Sequence, residues 1–307
     1  MALYENTQQA MSLGRHVADV TKVRRAGPTA LSVVLALAIA AGISLIAYPT
    51  LSDWWNSFHQ TRAIASYVRA FSQSDPQQLA QILADARAYN ARLAEGGALR
   101  LPTDAEHAEY QGLLNVDGTG VMGYVQMSCL GIRCPIYHGV DEVTLQGSLG
   151  HLEGSSLPIG GASTHAVIAG HRGLPQAKLF SDLDKAKVGD AFTVTVLGEA
   201  RTYEVDQIRV VLPEDVSELA IVPGADLVTL LTCTPYGINT HRLLVRGHRV
   251  ESALQQRDTA ADAVQEPTYP PVLTVGVPAL FIGLVVALCV SGRDDGVARK
   301  EGRHART

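Results

Sequence analysis

The sequence predicts a mainly β domain, a barrel or a sandwich, preceded by helices and flanked by two membrane-spanning helices. Three observations carry this. From Leu113 onward, short β-rich runs alternate with Gly, Pro and Asp turns. Ahead of them, apolar residues recur at helical spacing. Near each end lies an uncharged apolar stretch, and a run of about 20 such residues crosses a bilayer as a helix.

The elements follow in chain order. Residues 1–28 form a basic N-terminus, with Arg15, Lys22, Arg24 and Arg25 just ahead of the first apolar stretch, 29–49. Positive residues stay on the cytoplasmic side, so this helix runs from inside to outside. It is longer than the apolar core of a cleaved signal peptide, and no small-x-small site follows it, so it reads as an uncleaved anchor. Residues 50–112 are expected to be helical, with a possible lid. Trp54, Phe58, Ile64, Tyr67, Val68 and Phe71 form one stripe. Asp75 is an N-cap with Pro76 at the first helical position, and Leu79, Ile82, Leu83, Ala86, Tyr89 and Leu93 form the next stripe, ended by Gly96 and Gly97.

Residues 113–252 carry the β runs: Val121–Met127, Ile132–Tyr137, Ala166–Ile168, Phe192–Val196, Tyr203–Val205, Ile208–Val211, Leu227–Leu231 and Leu243–Val245. Their pattern does not choose between barrel and sandwich. Residues 253–270, rich in Ala, Gln and Asp, read as a linker to a second span, 271–291. The tail 292–307 holds Arg293, Arg299, Lys300, Arg303 and Arg306, which places this end inside too. The expected localisation is a two-span protein of the cell membrane with its β domain outside the cytoplasm.

The net charge of −5 and the lack of a basic run with interleaved aromatics exclude a nucleic-acid partner. No metal-ligand constellation and no cofactor motif occurs. Of the four cysteines, Cys289 sits in the second span. Cys129 and Cys134 flank Gly131, a corner that brings them together as a possible disulfide; the alternative is two reduced thiols on a strand pair.

Cys233 lies in TLLTCTPYGINTHRLLVRG, Thr229–Gly247, at the end of an apolar run and nine positions before Arg242 in a second run. Pro235, Gly237 and Asn239 mark the turn between them, so the segment reads as strand, loop, strand. Such a hairpin sets a soft nucleophile beside a permanent cation. A nearby cation favours thiolate, and a rigid donor stabilises a developing oxyanion. Arg242 and Arg246 share a strand face, and Arg249 takes the other; Arg242 is nearest the turn. A thiol nucleophile also needs a proton carrier, and ten histidines compete. His171 closes the run THAVIAG between two turn glycines, while His138, His151, His165 and His241 remain open on residue chemistry alone.

This hairpin resembles the active-site hairpin of sortases, cysteine transpeptidases of Gram-positive cell surfaces. The long block after Cys-Thr-Pro resembles the pilus-assembling class C. PIYHG (Pro135–Gly139), GHLEGSSLPIGG (Gly150–Gly161) and AGHRGLP (Ala169–Pro175) resemble further family blocks, in family order, and the resemblance covers roughly Asp53 to Val250. It implies an eight-stranded sortase-type barrel, His171 as the catalytic histidine and Arg242 as the catalytic arginine. It implies that Cys233 cleaves a Leu-Pro-x-Thr-Gly-like signal through a thioester, and that pilin subunits are joined through a lysine isopeptide bond. Thr232 is a candidate for holding the nucleophile. The implied partners are pilins with such signals and the lipid bilayer. Class C members carry a lid with an Asp-Pro-aromatic anchor. The expected region, Gly97 to Tyr110, has no such triplet, although Leu101, Pro102 and Thr103 imitate the substrate motif and are a possible lid. Two rival functions stand: a housekeeping sortase that joins surface proteins to a peptidoglycan precursor, and an inactive membrane-tethered binding barrel.

Overall fold

The computed structural model describes residues 30–96, 102–175 and 177–251, together with 276, 280, 281 and 283. The basic N-terminus, the linker and the basic tail fall outside the described residues. So does the second apolar stretch apart from those four positions, and Leu101 and Cys289 are outside as well. Of the two units into which the chain divides, the one spanning Ala47–Pro270 holds the barrel.

Helix α1, Ala30–Gln73, carries a window of mean hydropathy 2.5 that is almost wholly unburied. It is long and apolar enough to cross a membrane. It continues through Pro49 without a break, so the apolar stretch and the first stripe are one helix, where the sequence suggested two. The stripe works as expected: Ile64, Tyr67 and Val68 pack on Val121 and Tyr124. Tyr67 is fully buried, and its hydroxyl donates to Met122 O (2.8 Å) and accepts from Leu197 N (2.8 Å). Helix α2, Pro76–Gly96, buries Ala86 and Tyr89, and its Asn90 makes two bonds with the Leu157 backbone.

Helix α3, Asp104–Gly112, occupies the region assigned to a possible lid. Thr103 is its N-cap in a capping box with Glu106, so the hydroxyl of Thr103 is committed to a helix end. Tyr110 of α3 is fully buried against His138 and His151.

Eight strands form a closed barrel in the order β1-β2-β3-β4-β7-β8-β6-β5, which resolves the choice between barrel and sandwich. They are β1 Val121–Met127, β2 Ile132–His138, β3 Leu149–His151, β4 Thr164–Ala169, β5 Ala191–Val196, β6 Glu199–Val211, β7 Asp226–Thr234 and β8 His241–Arg249. The two runs Tyr203–Val205 and Ile208–Val211 are one strand, β6, interrupted by a register shift between Val205 and Gln207 against β8. A bulge of this kind breaks the two-residue alternation that a sequence reading follows. A short helix α4, Glu142–Leu145, lies between β2 and β3.

Closure removes sheet edges and leaves one interior, filled by Val228 and Leu230 of β7, Leu243 and Val245 of β8, and Ala166 and Ile168 of β4, among others. Cys134 belongs to that core; its sulfur is 3.3 Å from Gln60 Oε1, and burial pushes the thiol up to about 12. Cys129 is exposed on the turn after β1. Both are free, so the possible disulfide is corrected: one side chain points into the core and the other to solvent.

His151 is completely buried, and burial lowers it to about 4. Between pH 6.5 and about 4 the unfolded chain takes up a proton here that the folded chain refuses. Stability therefore falls as pH falls through that window, by roughly 3 kcal/mol in total from this group. The urea midpoint of the wild type should drop steeply across this range, and His151→Gln should flatten the slope. Equal slopes for the two proteins would refute this assignment.

Candidate active site

Topology brings the predicted site residues to one end of the barrel. Strand β4 runs parallel to β7, so both reach their C-terminal ends together, and antiparallel β8 starts there. Cys233 of β7 pairs directly with Arg242 of β8. The β4–β7 register ends at Ala169↔Leu231, and Gly170 N continues the ladder to Leu231 O at 3.0 Å. His171 follows two residues after Ala169, just past the end of β4, the strand beside β7.

Residue parity puts all three on one face. Val167, Leu231 and Leu244 point away from the barrel core and form their own cluster with Leu219. Side chains alternate along strands, so Cys233 and Arg242 share that outer face, and the alternation of β4 carried two residues past Ala169 assigns His171 to it as well. The site thus lies on the outside of the barrel, where β4 and β7 end and β8 begins. Cys233 is part-buried in it.

The backbone around His171 is built for close approach. A side chain at Gly170 would meet Leu149 at 2.5 Å and Phe180 at 2.8 Å, and the carbonyl of His171 accepts from Phe180 N (3.2 Å). Gly173 has φ +78, and a side chain there would strike the Tyr236 ring at 2.7 Å. Thr232 is fully buried and donates to Gly170 O at 2.7 Å, which ties the end of β4 to β7 one residue before Cys233. Its hydroxyl therefore fixes the strand that carries the histidine rather than touching the sulfur. Thr232→Val should cost about 1–3 kcal/mol by leaving Gly170 O unsatisfied, read as a lower urea midpoint. An unchanged midpoint would show the bond to be idle.

The competing side chains are accounted for. His138 bonds Leu113 O (2.7 Å) and Gly120 O (2.9 Å), and His151 bonds Ser156 O (2.8 Å) and the Tyr110 hydroxyl (3.0 Å). His165 bonds Thr229 (2.7 Å) and Ala220 O (2.9 Å), and burial lowers its basicity. His241 faces its neighbour Thr240 at 2.9 Å. Arg246 makes a two-pronged pair with Asp206, and Arg249 lies over the Tyr203 ring. Arg242 is held only by the carbonyls of Asn239 (3.3 Å) and His241 (3.2 Å), with no carboxylate partner among the described residues. Cys129, the other accessible thiol among the described residues, is pushed up by partial desolvation and by the Asp190 carboxylate, which disfavours its thiolate.

Two residues at this end were not singled out by the sequence. Arg172 is a tenth exposed; it pairs with Asp184, bonds Thr234 at 3.4 Å and lies under the Tyr236 ring, bracing the loop after Cys233. Glu142 opens α4, and its carboxylate approaches His171 Nε2 at 3.5 Å without hydrogen-bond geometry. The pairing of β3 with β4 explains its place: Gly150 opposes Ala169, so α4, just ahead of β3, sits at the end where β4 finishes.

A sortase domain model matches residues 125–250. The crystal structure of sortase C1 from Streptococcus agalactiae superposes with a TM-score of 0.61 at 52% identity, over 62% of this chain and 99% of that one. The chain belongs to the sortase family. Its likeness to this and other sortase C structures makes it a class C sortase, within a family of cysteine transpeptidases. Sortase C from Clostridium perfringens, solved with the C-terminal cell wall sorting motif, matches with a TM-score of 0.55 at 39% identity, over 62% of this sortase and 99% of that chain. Sortase A of Streptococcus agalactiae is 31% identical over 117 residues, covering 37% of this sortase; the match spans about half of that curated relative, 47%.

Proposed function

We propose that this sortase cleaves a Leu-Pro-x-Thr-Gly-like sorting signal and joins pilin subunits through lysine isopeptide bonds, with Cys233, His171 and Arg242 as its catalytic residues. The supporting observation is the meeting of strand ends: the cysteine pairs with the arginine across β7 and β8, and the histidine follows two residues after β4, the other neighbour of β7. The sorting motif held by the Clostridium perfringens relative supports the substrate class.

The reaction divides into two acyl transfers. The sulfur of Cys233 attacks the carbonyl carbon of the scissile peptide bond after Thr. Arg242 and a backbone N–H stabilise the oxyanion. His171 gives its proton to the leaving amine, and a thioester remains. A lysine amine of the next pilin then attacks the thioester. His171 takes the amine proton, the C–S bond breaks, the proton passes to the sulfur, and an isopeptide bond has formed. In this reading helix α1 is a membrane anchor, and the basic residues ahead of it, with those of the C-terminal tail, support a two-span topology with the site outside the cytoplasm.

Incubating the full chain in detergent with candidate pilins, then mapping cross-links by mass spectrometry, tests this reading. A lysine–threonine isopeptide between pilins is expected. Transfer only to a cell-wall amine would instead support the housekeeping role, and no transfer would leave the binding barrel.

A further inference from the structure

We propose that Glu142 is the docking group for the incoming amine, selecting a cationic acceptor; the inference rests on the transpeptidase reading above. A lysine amine is an ammonium at neutral pH, and the end of the barrel it must approach carries Arg242, a cation with no carboxylate partner among the described residues, which repels it. A carboxylate beside the proton acceptor reverses that sign. The carboxylates nearby are largely spent. Asp184 pairs with Arg172, Asp182 pairs with Lys178 and Lys185, and Asp141 caps α4 through Thr144 N (3.0 Å) and Thr144 Oγ1 (2.9 Å). Glu142 is different. Its side chain is 71% exposed, it takes no part in the cap, and its contact with His171 Nε2 is a loose 3.5 Å. That nitrogen is shut from solvent and has no hydrogen-bond partner among the described residues.

An ammonium arriving at Glu142 therefore stands next to the imidazole that takes the proton of the attacking amine. One proton leaves to solvent to give the neutral amine. The nitrogen bonds the thioester carbon, the C–S bond breaks, and the second proton passes through His171 to the Cys233 sulfur.

The test compares two acceptors on the full chain in detergent, with a sorting peptide as donor: Nα-acetyl-lysine amide, which is cationic, and hydroxylamine, which is uncharged at neutral pH. Glu142→Gln should raise KM for the lysine amide, relative to that for hydroxylamine, about three- to tenfold, with the change in KM rather than kcat. Glu142→Asp should recover part of the difference. An equal change for both acceptors, which an effect on His171 alone would give, overturns the proposal, and so does no change. The thioester adduct of the wild type is recorded by intact mass in the same experiment. Its presence keeps a failure at Glu142 separate from a failure of the transpeptidase reading, and its absence overturns both.

Discussion

Replacing Cys233 with alanine is expected to abolish thioester formation and pilin polymerisation while the barrel stays folded. The sulfur is part-buried at the end of β7, outside the core, and no hydrogen bond among the described residues depends on it. Its removal therefore takes away the nucleophile and little packing. The thermal midpoint should stay within a few degrees of the wild type, because surface substitutions are usually within about 0.5 kcal/mol. Cys134 cannot substitute for it. Buried in the barrel and bonded to Gln60, that thiol is pushed up to about 12, so it supplies almost no thiolate at neutral pH. Polymerisation that survives in Cys233→Ala would remove the covalent mechanism.

Arg242 carries the second large effect. Its guanidinium is held in place by two main-chain carbonyls and is not neutralised by any carboxylate among the described residues, unlike Arg246, which Asp206 claims. Arg242→Ala should lower kcat for peptide cleavage about a hundred- to a thousandfold, the usual cost of losing one oxyanion donor. Arg242→Lys should recover only part of this, since an ammonium lacks the planar fork of the guanidinium. Arg246→Ala is the control with the opposite expectation: it breaks an ion pair distant in register from Cys233 and should act on stability more than on turnover. Similar losses of kcat in the two variants would contradict the assignment.

Much of this was written in the sequence, and the exceptions have physical causes. Strand β1 has the bounds its residues suggested, Val121–Met127, because both ends carry turn residues. Strand β3 escaped notice because three residues, one of them a glycine, carry no alternation. Helix α3 is legible in the sequence, because Thr103-Asp104-Ala105-Glu106 is a capping-box signature. The hairpin that joins Cys233 to Arg242 is local and so was visible. Choosing His171 over its rivals is a question of tertiary pairing. His138, His151 and His165 look equally available in a sequence, and only the folded chain shows each ring engaged with a backbone carbonyl. Glu142 and Arg172 come to the site through the β3–β4 pairing and the loop after β4, which no local pattern encodes.

The central claim is that the sulfur of Cys233 carries the acyl group. Intact-mass measurement of the full chain after brief exposure to a Leu-Pro-x-Thr-Gly peptide, followed by peptide mapping, addresses it directly. The account predicts an adduct equal to the fragment ending at Thr, on Cys233 alone, released by hydroxylamine and lost in Cys233→Ala. An adduct on Cys129, or peptide cleavage with no adduct in the wild type and undiminished in Cys233→Ala, would contradict it.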